Sequence, residues 1–146
     1  NWPGFGPVQQ VTGDNVNGLL VPVSGKVVRE FGWHEDSLDG LERFHPGVDI
    51  EAPEGTTVRA VMDGQVVKVG EDDQWGNFIL LHHGDETYTM YAGLNNSQLQ
   101  EGQWVSAGQE LGAIGGKSDV PGGGLHFEMR EKSELVNPLD RLQIGR

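Results

Sequence analysis

The sequence contains no cysteine, which excludes disulfides within the chain and zinc sites built on thiolates. Basic residues are scarce: ten Lys and Arg stand against 22 Asp and Glu, giving a formal net charge of −12. Nucleic acids and anionic bilayers need a basic surface, so neither is an expected partner. No apolar run approaches the roughly 18 residues of a membrane span. A neutral or cationic ligand, or another protein, fits this charge, although an acidic surface that serves only solubility would have the same composition.

Segments long enough for a long helix are also missing, and turn-forming residues are frequent, with 23 glycines and seven prolines among 146 residues. Short stretches of strand-forming residues alternate with turns at near-regular spacing. This pattern predicts an all-β fold of antiparallel sheets in a sandwich or barrel-like arrangement. The length fits one domain. We expect it at residues 21–142, after a linker or N-terminal arm at residues 1–20 and before a tail at residues 143–146.

Turn residues divide the predicted domain into individual strands. The segment 21–32 predicts two strands around a Ser-Gly turn, and the polar segment 33–47 predicts a loop. Three further strand pairs are predicted at residues 56–72 around an Asp63-Gly64 turn, at residues 76–94, and at residues 100–116.

Two histidines and one aspartate are candidate metal ligands. His45 precedes Asp49 by four residues, and the Pro-Gly pair after His45 permits a turn that brings the carboxylate back towards the imidazole. In the last predicted strand, residues 124–130, His126 alternates with Leu125 and Phe127 and therefore points away from the core. Each histidine taken alone is equally consistent with an ordinary surface residue. Together, two imidazoles and one carboxylate suit tetrahedral zinc with a fourth position open to water.

Several motifs occur in the order typical of the lysostaphin-type (LytM-like) zinc metallopeptidases. They are F-H-P-G-V-D-I-x-A-P-E-G-T, W-G-N-F-I-L-L-H-H-G, Y-T-M-Y-A-G-L, and L-H-F-E-M-R followed by N-P-L. The chain resembles that family from about residue 21 to residue 139. The resemblance implies the family's duplicated hybrid motif, a sandwich or barrel of antiparallel strands. It also implies that His45, Asp49 and His126 are zinc ligands.

Two positions depart from the family pattern. The family carries one histidine in Y-x-H-L and another as the first histidine of H-x-H, and these two imidazoles flank the zinc-bound water. Here Gly93 and Gly124 occupy the two positions. Loss of one general base or oxyanion donor typically lowers a rate by about 10²–10⁴-fold. The resemblance therefore implies a domain that keeps its metal ligands and lacks both catalytic histidines.

Three other residues are candidates for a place near the site. Glu128 shares the strand face of His126, about 7 Å along the strand, which suits a supporting role behind the ligands. Tyr91 lies two residues before Gly93 and could donate a hydrogen bond, although a tyrosine packed in the sheet is the simpler interpretation. His34, in the predicted loop before His45, could face the groove. None of the three replaces the missing histidines convincingly.

These observations favour a binding or regulatory module in cell-wall remodelling or sporulation, similar to the inactive domains of murein hydrolase activators and sporulation proteins. The expected partner is a peptidoglycan peptide or a protein of the cell envelope. One alternative is an active zinc metalloendopeptidase that cleaves peptidoglycan cross-link peptides, and another is a peptidoglycan-binding module without a catalytic partner. We expect an extracytoplasmic location, with a membrane anchor supplied by a segment before Asn1.

Overall fold

The computed structural model describes residues 19–142, which form twelve strands and one short 3₁₀ helix. The strands are β1 (Lys26–Arg29), β2 (Gly32–Glu35), β3 (Glu42–His45), β4 (Val48–Glu51), β5 (Thr57–Arg59), β6 (Gly64–Asp72), β7 (Gly76–His82), β8 (Thr87–Leu94), β9 (Trp104–Val105), β10 (Glu110–Ala113), β11 (Gly124–Glu131) and β12 (Glu134–Val136), and the helix spans Pro138–Asp140. All pairings between these strands are antiparallel, which confirms the predicted all-β fold. Most of the predicted arm and all of the predicted tail lie outside the described residues. The domain limits remain a prediction.

One large sheet and two small ones make up the structure. The large sheet has the order β1-β4-β11-β8-β7-β6-β9, with β12 beside β11. Strands β5 and β10 form a second sheet, and β2 and β3 form a separate two-stranded hairpin. The main core lies between the large sheet and the β5–β10 pair, since Val58 and Leu111 belong to the same buried cluster as Ile50 and Phe127. Burial of these side chains is the main source of stability.

Strand β11 separates the core from the functional face of the large sheet. Its residues Leu125, Phe127 and Met129 are buried in the main core, which confirms the predicted alternation. His126 points to the opposite face, where it too is fully buried. A small apolar cluster containing Trp75, Ala92 and Val120 covers this second face. The alternation of β11 therefore places an imidazole beneath a cover, away from the main core.

Two of the predicted strand pairs are wrong, and one is confirmed. Strands β7 and β8 form the hairpin expected at residues 76–94. In the segment 56–72, β5 pairs with β10 and β6 pairs with β7, so the chain passes from one sheet to the other at Asp63. Two contacts hold Asp63 there: its carbonyl lies 2.7 Å from His83 Nδ1, and its carboxylate accepts the Ala107 N–H at 2.7 Å. In the segment 100–116, β9 joins β6 and β10 joins β5, so the two strands do not pair with each other.

The segment before His45 also differs from its prediction. The expected loop at residues 33–47 contains the β2–β3 hairpin, stabilised by edge-to-face packing of the cross-strand pair Trp33 and Phe44 at 5.3 Å between ring centroids. Of the two strands expected at residues 21–32, only Lys26–Arg29 belongs to the large sheet. Val23 is instead a buried core residue outside any strand.

None of the helical structure in residues 19–142 is long and apolar enough to cross a bilayer.

Candidate metal centre

Strand pairing brings the three predicted ligands together. His45 is the last residue of β3 and Asp49 lies in β4, after the Pro46-Gly47 turn. Asp49 is the direct cross-strand partner of His126. The potential ligand atoms of the three residues all lie within 4.8 Å of one another, and all three residues are buried. The predicted ligands thus form one compact cluster.

A glycine is required at position 47 for this approach. A Cβ atom there would lie 2.2 Å from the carbonyl oxygen of Phe127, far inside ordinary contact. The turn after His45 therefore lies directly against the backbone of β11. This contact explains why the H-P-G-V-D segment can present His45 and Asp49 to a histidine nearly eighty residues later in the chain.

The inner atoms of the cluster have the arrangement of a cation site. Asp49 Oδ1 lies 2.7 Å from His126 Nδ1 and 3.1 Å from His45 Nε2. Within residues 19–142, His45 Nε2 and Asp49 Oδ2 are among the few buried side-chain atoms that make no hydrogen bond. Both atoms still lie against ionisable groups, since His45 Nε2 faces Asp49 Oδ1 and Asp49 Oδ2 lies 3.3 Å from Arg29 Nη1. Buried polar atoms normally make hydrogen bonds, so this arrangement is compatible with a cation held between the ligands. Two imidazole nitrogens and a carboxylate are a ligand set that zinc accepts.

The outer nitrogens of both imidazoles are held by other groups. His45 Nδ1 lies 3.2 Å from the carbonyl oxygen of Glu30, and His126 Nε2 lies 2.8 Å from Glu128 Oε2. Each outer N–H donates to its oxygen, which leaves the inner nitrogen to act as a ligand. Glu128 was expected to support the ligands, and the structure places its carboxylate in direct contact with one of them.

Electrostatic contacts stabilise the charged forms of the cluster. Burial disfavours the charged form of Asp49, but the hydrogen bond from His126 and the neighbouring His45 imidazole outweigh it and hold the pKa of the carboxyl below its usual value. Burial favours neutral His126, whereas its contacts with Asp49 and Glu128 raise the pKa of the imidazole above its usual value. These contacts favour a protonated His126 that donates from Nδ1 to Asp49 as well as from Nε2 to Glu128, and metal binding at Nδ1 would release that proton.

Two further residues contact the ligand cluster: Trp75, which the sequence suggests for the groove or for ordinary packing, and Arg29, which it does not suggest. The indole of Trp75 stacks on His126 with ring centroids 3.7 Å apart and planes 9° from parallel, and it also lies edge-on to His45 at 6.2 Å. Arg29 Nη1 lies 3.3 Å from Asp49 Oδ2. Trp75 lies in the W-G-N motif, which is a usable signal, whereas Arg29 in V-V-R-E has no distinguishing pattern.

Backbone atoms fill the space beside the two glycines that stand at the missing histidine positions. Gly93 has φ +102° and Gly124 has φ +147°, both in the region that side chains disfavour. A Cβ atom at Gly124 would lie 2.0 Å from the Ile50 carbonyl oxygen, and one at Gly93 would lie 2.6 Å from the Gly124 carbonyl oxygen. The space that a side chain needs at either position is filled by backbone.

The other two candidates are placed differently. Tyr91 is fully buried in the main core, on the face of the sheet opposite His126, where its hydroxyl contacts Thr89 Oγ1 at 2.8 Å and accepts the Val61 N–H at 3.1 Å. It does not reach the metal cluster, since it pairs with Phe127 rather than with His126. His34 is exposed in β2 and its Nε2 lies 2.7 Å from the Glu30 carbonyl oxygen.

A surface cavity of about 410 Å³ opens beside the cluster. His34, His45 and Trp75 are among its lining residues, together with Arg29 and Arg43. The structure thus brings His34 to the same cavity as His45, and its place in a substrate or ligand groove stays a prediction. The Nε2 atom of His34 contacts the Glu30 carbonyl oxygen and is therefore directed at the backbone.

Comparison with known proteins gives consistent matches. The DD-carboxypeptidase/endopeptidase Mpg of Neisseria meningitidis is 32% identical over 132 residues, covering 90% of this chain and 30% of Mpg. The murein hydrolase activator NlpD of Escherichia coli is 34% identical over 119 residues, covering 81% of this chain and 29% of NlpD. This chain therefore spans less than a third of the length of either relative.

A solved structure and a family match complete the comparison. The structure of a zinc-containing peptidase from Vibrio cholerae has a TM-score of 0.74 at 26% identity, covering 81% of this chain and 38% of that one. Residues 43–138 match peptidase family M23. The motifs, the fold and these matches agree, and the chain belongs to peptidase family M23.

Proposed function

We propose that this chain is an M23 domain that binds zinc at His45, Asp49 and His126, does not hydrolyse peptides, and works as a binding or regulatory module in cell-wall remodelling. The observation that carries the proposal is that backbone atoms fill the space a side chain would need at Gly93 and Gly124. Both positions lack a side chain and both lack the room for one. The ligand cluster beside them keeps its donors and its supporting hydrogen bonds.

The ligand cluster fits zinc. Its buried atoms without hydrogen bonds are a nitrogen and a carboxylate oxygen, and both imidazoles have outer partners that fix the nitrogen available for coordination. Zinc bound there would acidify water and polarise a carbonyl group. Neither of the two other candidates in the described residues lies on the inner side of the cluster as a proton carrier, because Glu128 holds His126 and Tyr91 lies in the main core.

The relatives support a role at the cell wall. NlpD is a murein hydrolase activator, and 34% identity to it favours a regulatory module whose partner is a peptidoglycan peptide or an envelope protein. Murein lies outside the cytoplasmic membrane, so the same resemblance favours an extracytoplasmic location. The chain's acidic charge is compatible with either kind of partner.

Metal content and turnover are tested together. Elemental analysis of purified protein is expected to find one zinc ion per chain, and His45→Ala is expected to abolish it while His34→Ala, which changes an exposed histidine in the same cavity, leaves it intact. Release of amino groups from purified cell wall is then followed with and without chelator. Turnover at ordinary enzyme rates that a chelator removes would overturn the proposal.

The second candidate function is an active zinc endopeptidase. The specific observation in its favour is the 32% identity to Mpg, which is a DD-carboxypeptidase/endopeptidase. The turnover assay decides between the two functions. Sedimentation with insoluble cell wall separates direct wall binding from protein docking, because only wall binding carries the domain into the pellet.

A further inference from the structure

The β2–β3 hairpin carries most of the exposed apolar side chains of the described chain. In residues 19–142, five large hydrophobic residues are exposed, and four of them lie within this hairpin: Trp33, Leu38, Leu41 and Phe44. We call these four residues the hairpin patch. Leu38 at the tip is 94% exposed and Trp33 is 66% exposed. Scattered exposed hydrophobic residues are ordinary, but the concentration of four of them in one hairpin indicates an interaction site.

The hairpin is not part of the large sheet. Strands β2 and β3 pair only with each other, whereas every other strand belongs to the large sheet or to the β5–β10 pair. An isolated two-stranded ribbon is marginally stable in water. Trp33 and Phe44 pack edge-to-face across the hairpin, and Phe31 packs edge-on against Phe44 at 5.2 Å. These contacts hold the ribbon and leave much of its apolar surface uncovered.

Charged side chains connect the two ends of the tip. Arg43 donates to Asp36 at 2.8 Å and to Asp39 at 2.7 Å, so it joins both ends of the tip. The same two carboxylates accept the backbone N–H groups of Leu38 at 2.7 Å and Leu41 at 2.9 Å. Exposed ion pairs add little to stability, but this network fixes the backbone that presents the leucines. A surface that is already ordered loses less conformational entropy on binding.

The charge of the hairpin selects the partner. Residues 32–45 carry four carboxylates and one arginine, a net charge of −3 with neutral histidines, and the arginine is already paired. The whole chain carries −12. A partner that covers the patch must therefore supply apolar side chains together with Lys or Arg. Anionic lipid surfaces are repelled by the same charge.

We propose that the hairpin patch is the docking surface for an amphipathic, cationic segment of a partner protein. The proposal rests on the proposed function in that it gives the binding module its contact surface. The hairpin also forms a wall of the cavity beside His45, so a docked segment would lie over the entrance to the metal cluster. Apolar contact supplies the affinity, and the carboxylates set the charge of the partner and steer its approach.

A synthetic amphipathic peptide made only of leucine and lysine is the probe. Calorimetric titration of the full chain is expected to show saturable binding that weakens as salt is added. The Leu38→Ser/Leu41→Ser double variant is expected to bind about tenfold more weakly or worse, as for interface positions that dominate binding. Trp104→Ser is the matched control, because it removes an exposed aromatic residue in β9, at the opposite edge of the large sheet from β1, and should leave affinity unchanged. A leucine–glutamate peptide should not bind.

Several results would overturn this proposal. They are absence of saturable peptide binding, equal affinity of the double variant and wild type, equal binding of the glutamate peptide, hairpin-dependent binding to phosphatidylcholine vesicles in place of the peptide, and dimerisation through the hairpin. Far-ultraviolet circular dichroism and zinc content are measured on each variant. If the double variant does not fold, Leu38→Ser alone, at the exposed tip, is used with the same criterion. Cell-wall hydrolysis would defeat the proposed function and leave the peptide result standing.

Discussion

Replacing Gly124 by alanine tests whether the backbone leaves room for a side chain at this position, where the family carries a histidine. The added Cβ would lie 2.0 Å from the Ile50 carbonyl oxygen, about 1.5 Å inside an ordinary contact. Relief requires β11 to move away from β4, where Leu125 faces Ile50 and His126 faces Asp49. Overpacking of this kind costs about 1–3 kcal/mol, and the unfavourable φ of +147° costs about 1–3 kcal/mol more.

Gly123 provides the matched control. It also has positive φ, at +85°, but a Cβ atom there would meet nothing within 4 Å. Gly123→Ala therefore carries the backbone strain and the loss of unfolded-state entropy without the overlap. We expect Gly124→Ala to lose about 1–3 kcal/mol more free energy of unfolding than Gly123→Ala, measured by urea denaturation. A domain of this size has about 5–15 kcal/mol in total, so the difference is large.

Equal losses in the two variants would refute the reasoning, because they would mean that β11 relaxes and leaves room for a side chain. The same closed geometry predicts that the double variant Gly93→His/Gly124→His does not hydrolyse cell wall. A restored histidine in either strand meets a carbonyl oxygen before it can reach the metal side. Hydrolysis by the double variant would show that the missing side chains alone account for inactivity.

Three further predictions concern stability and the metal. Burial lowers the pKa of His83 from 6.5 to about 4, so the folded state holds this imidazole in its neutral form. The free energy of unfolding therefore falls as pH drops from about 6.5 towards 4, by up to about 3 kcal/mol. Urea unfolding at several pH values should show this loss, and His83→Gln should reduce it. Chelator should remove zinc without unfolding the domain, because the large sheet has its own core; loss of the β-sheet circular dichroism spectrum would contradict this. Trp75→Ala should lower the free energy of unfolding by about 3–5 kcal/mol. It should also speed the loss of zinc to a chelator, since the indole covers His126. An unchanged rate of zinc loss would show that the indole does not limit access of the chelator to the metal.

Local sequence patterns predicted the parts of the fold where alternation is regular. The β7–β8 hairpin follows from two strand-forming segments joined by a turn, and the two faces of β11 follow from the alternation of side-chain direction along a strand. The β2–β3 hairpin was missed because nearly all of its strand residues are exposed, so no alternation of buried and exposed positions marks the two strands. The Asp63-Gly64 signal predicted a hairpin turn, but long-range hydrogen bonds to Asp63 make this segment a crossing between sheets.

The sequence named the three residues of the cluster and only part of their surroundings, and their role as metal ligands stays a prediction. His45, Asp49 and His126 came from motif order, and strand register brings them together. Tyr91 was placed near Gly93 by counting alternate residues. The strand has an irregularity there, since Phe78 pairs with Ala92 and Asn77 with Leu94, so Gly93 is an extra residue that breaks the alternation. Sequence spacing alone does not reveal such a bulge.

His45 belongs to the metal cluster and is also the last residue of the β2–β3 hairpin. An ion that restrains this imidazole also restrains the hairpin at its base, where the ribbon joins the body of the domain. Occupancy of the metal and occupancy of the hairpin patch are then thermodynamically linked, and each must change the affinity of the other by the same factor. A titration of zinc with and without the leucine–lysine peptide measures that factor. Equal zinc affinities would mean that the base of the hairpin moves independently of its tip.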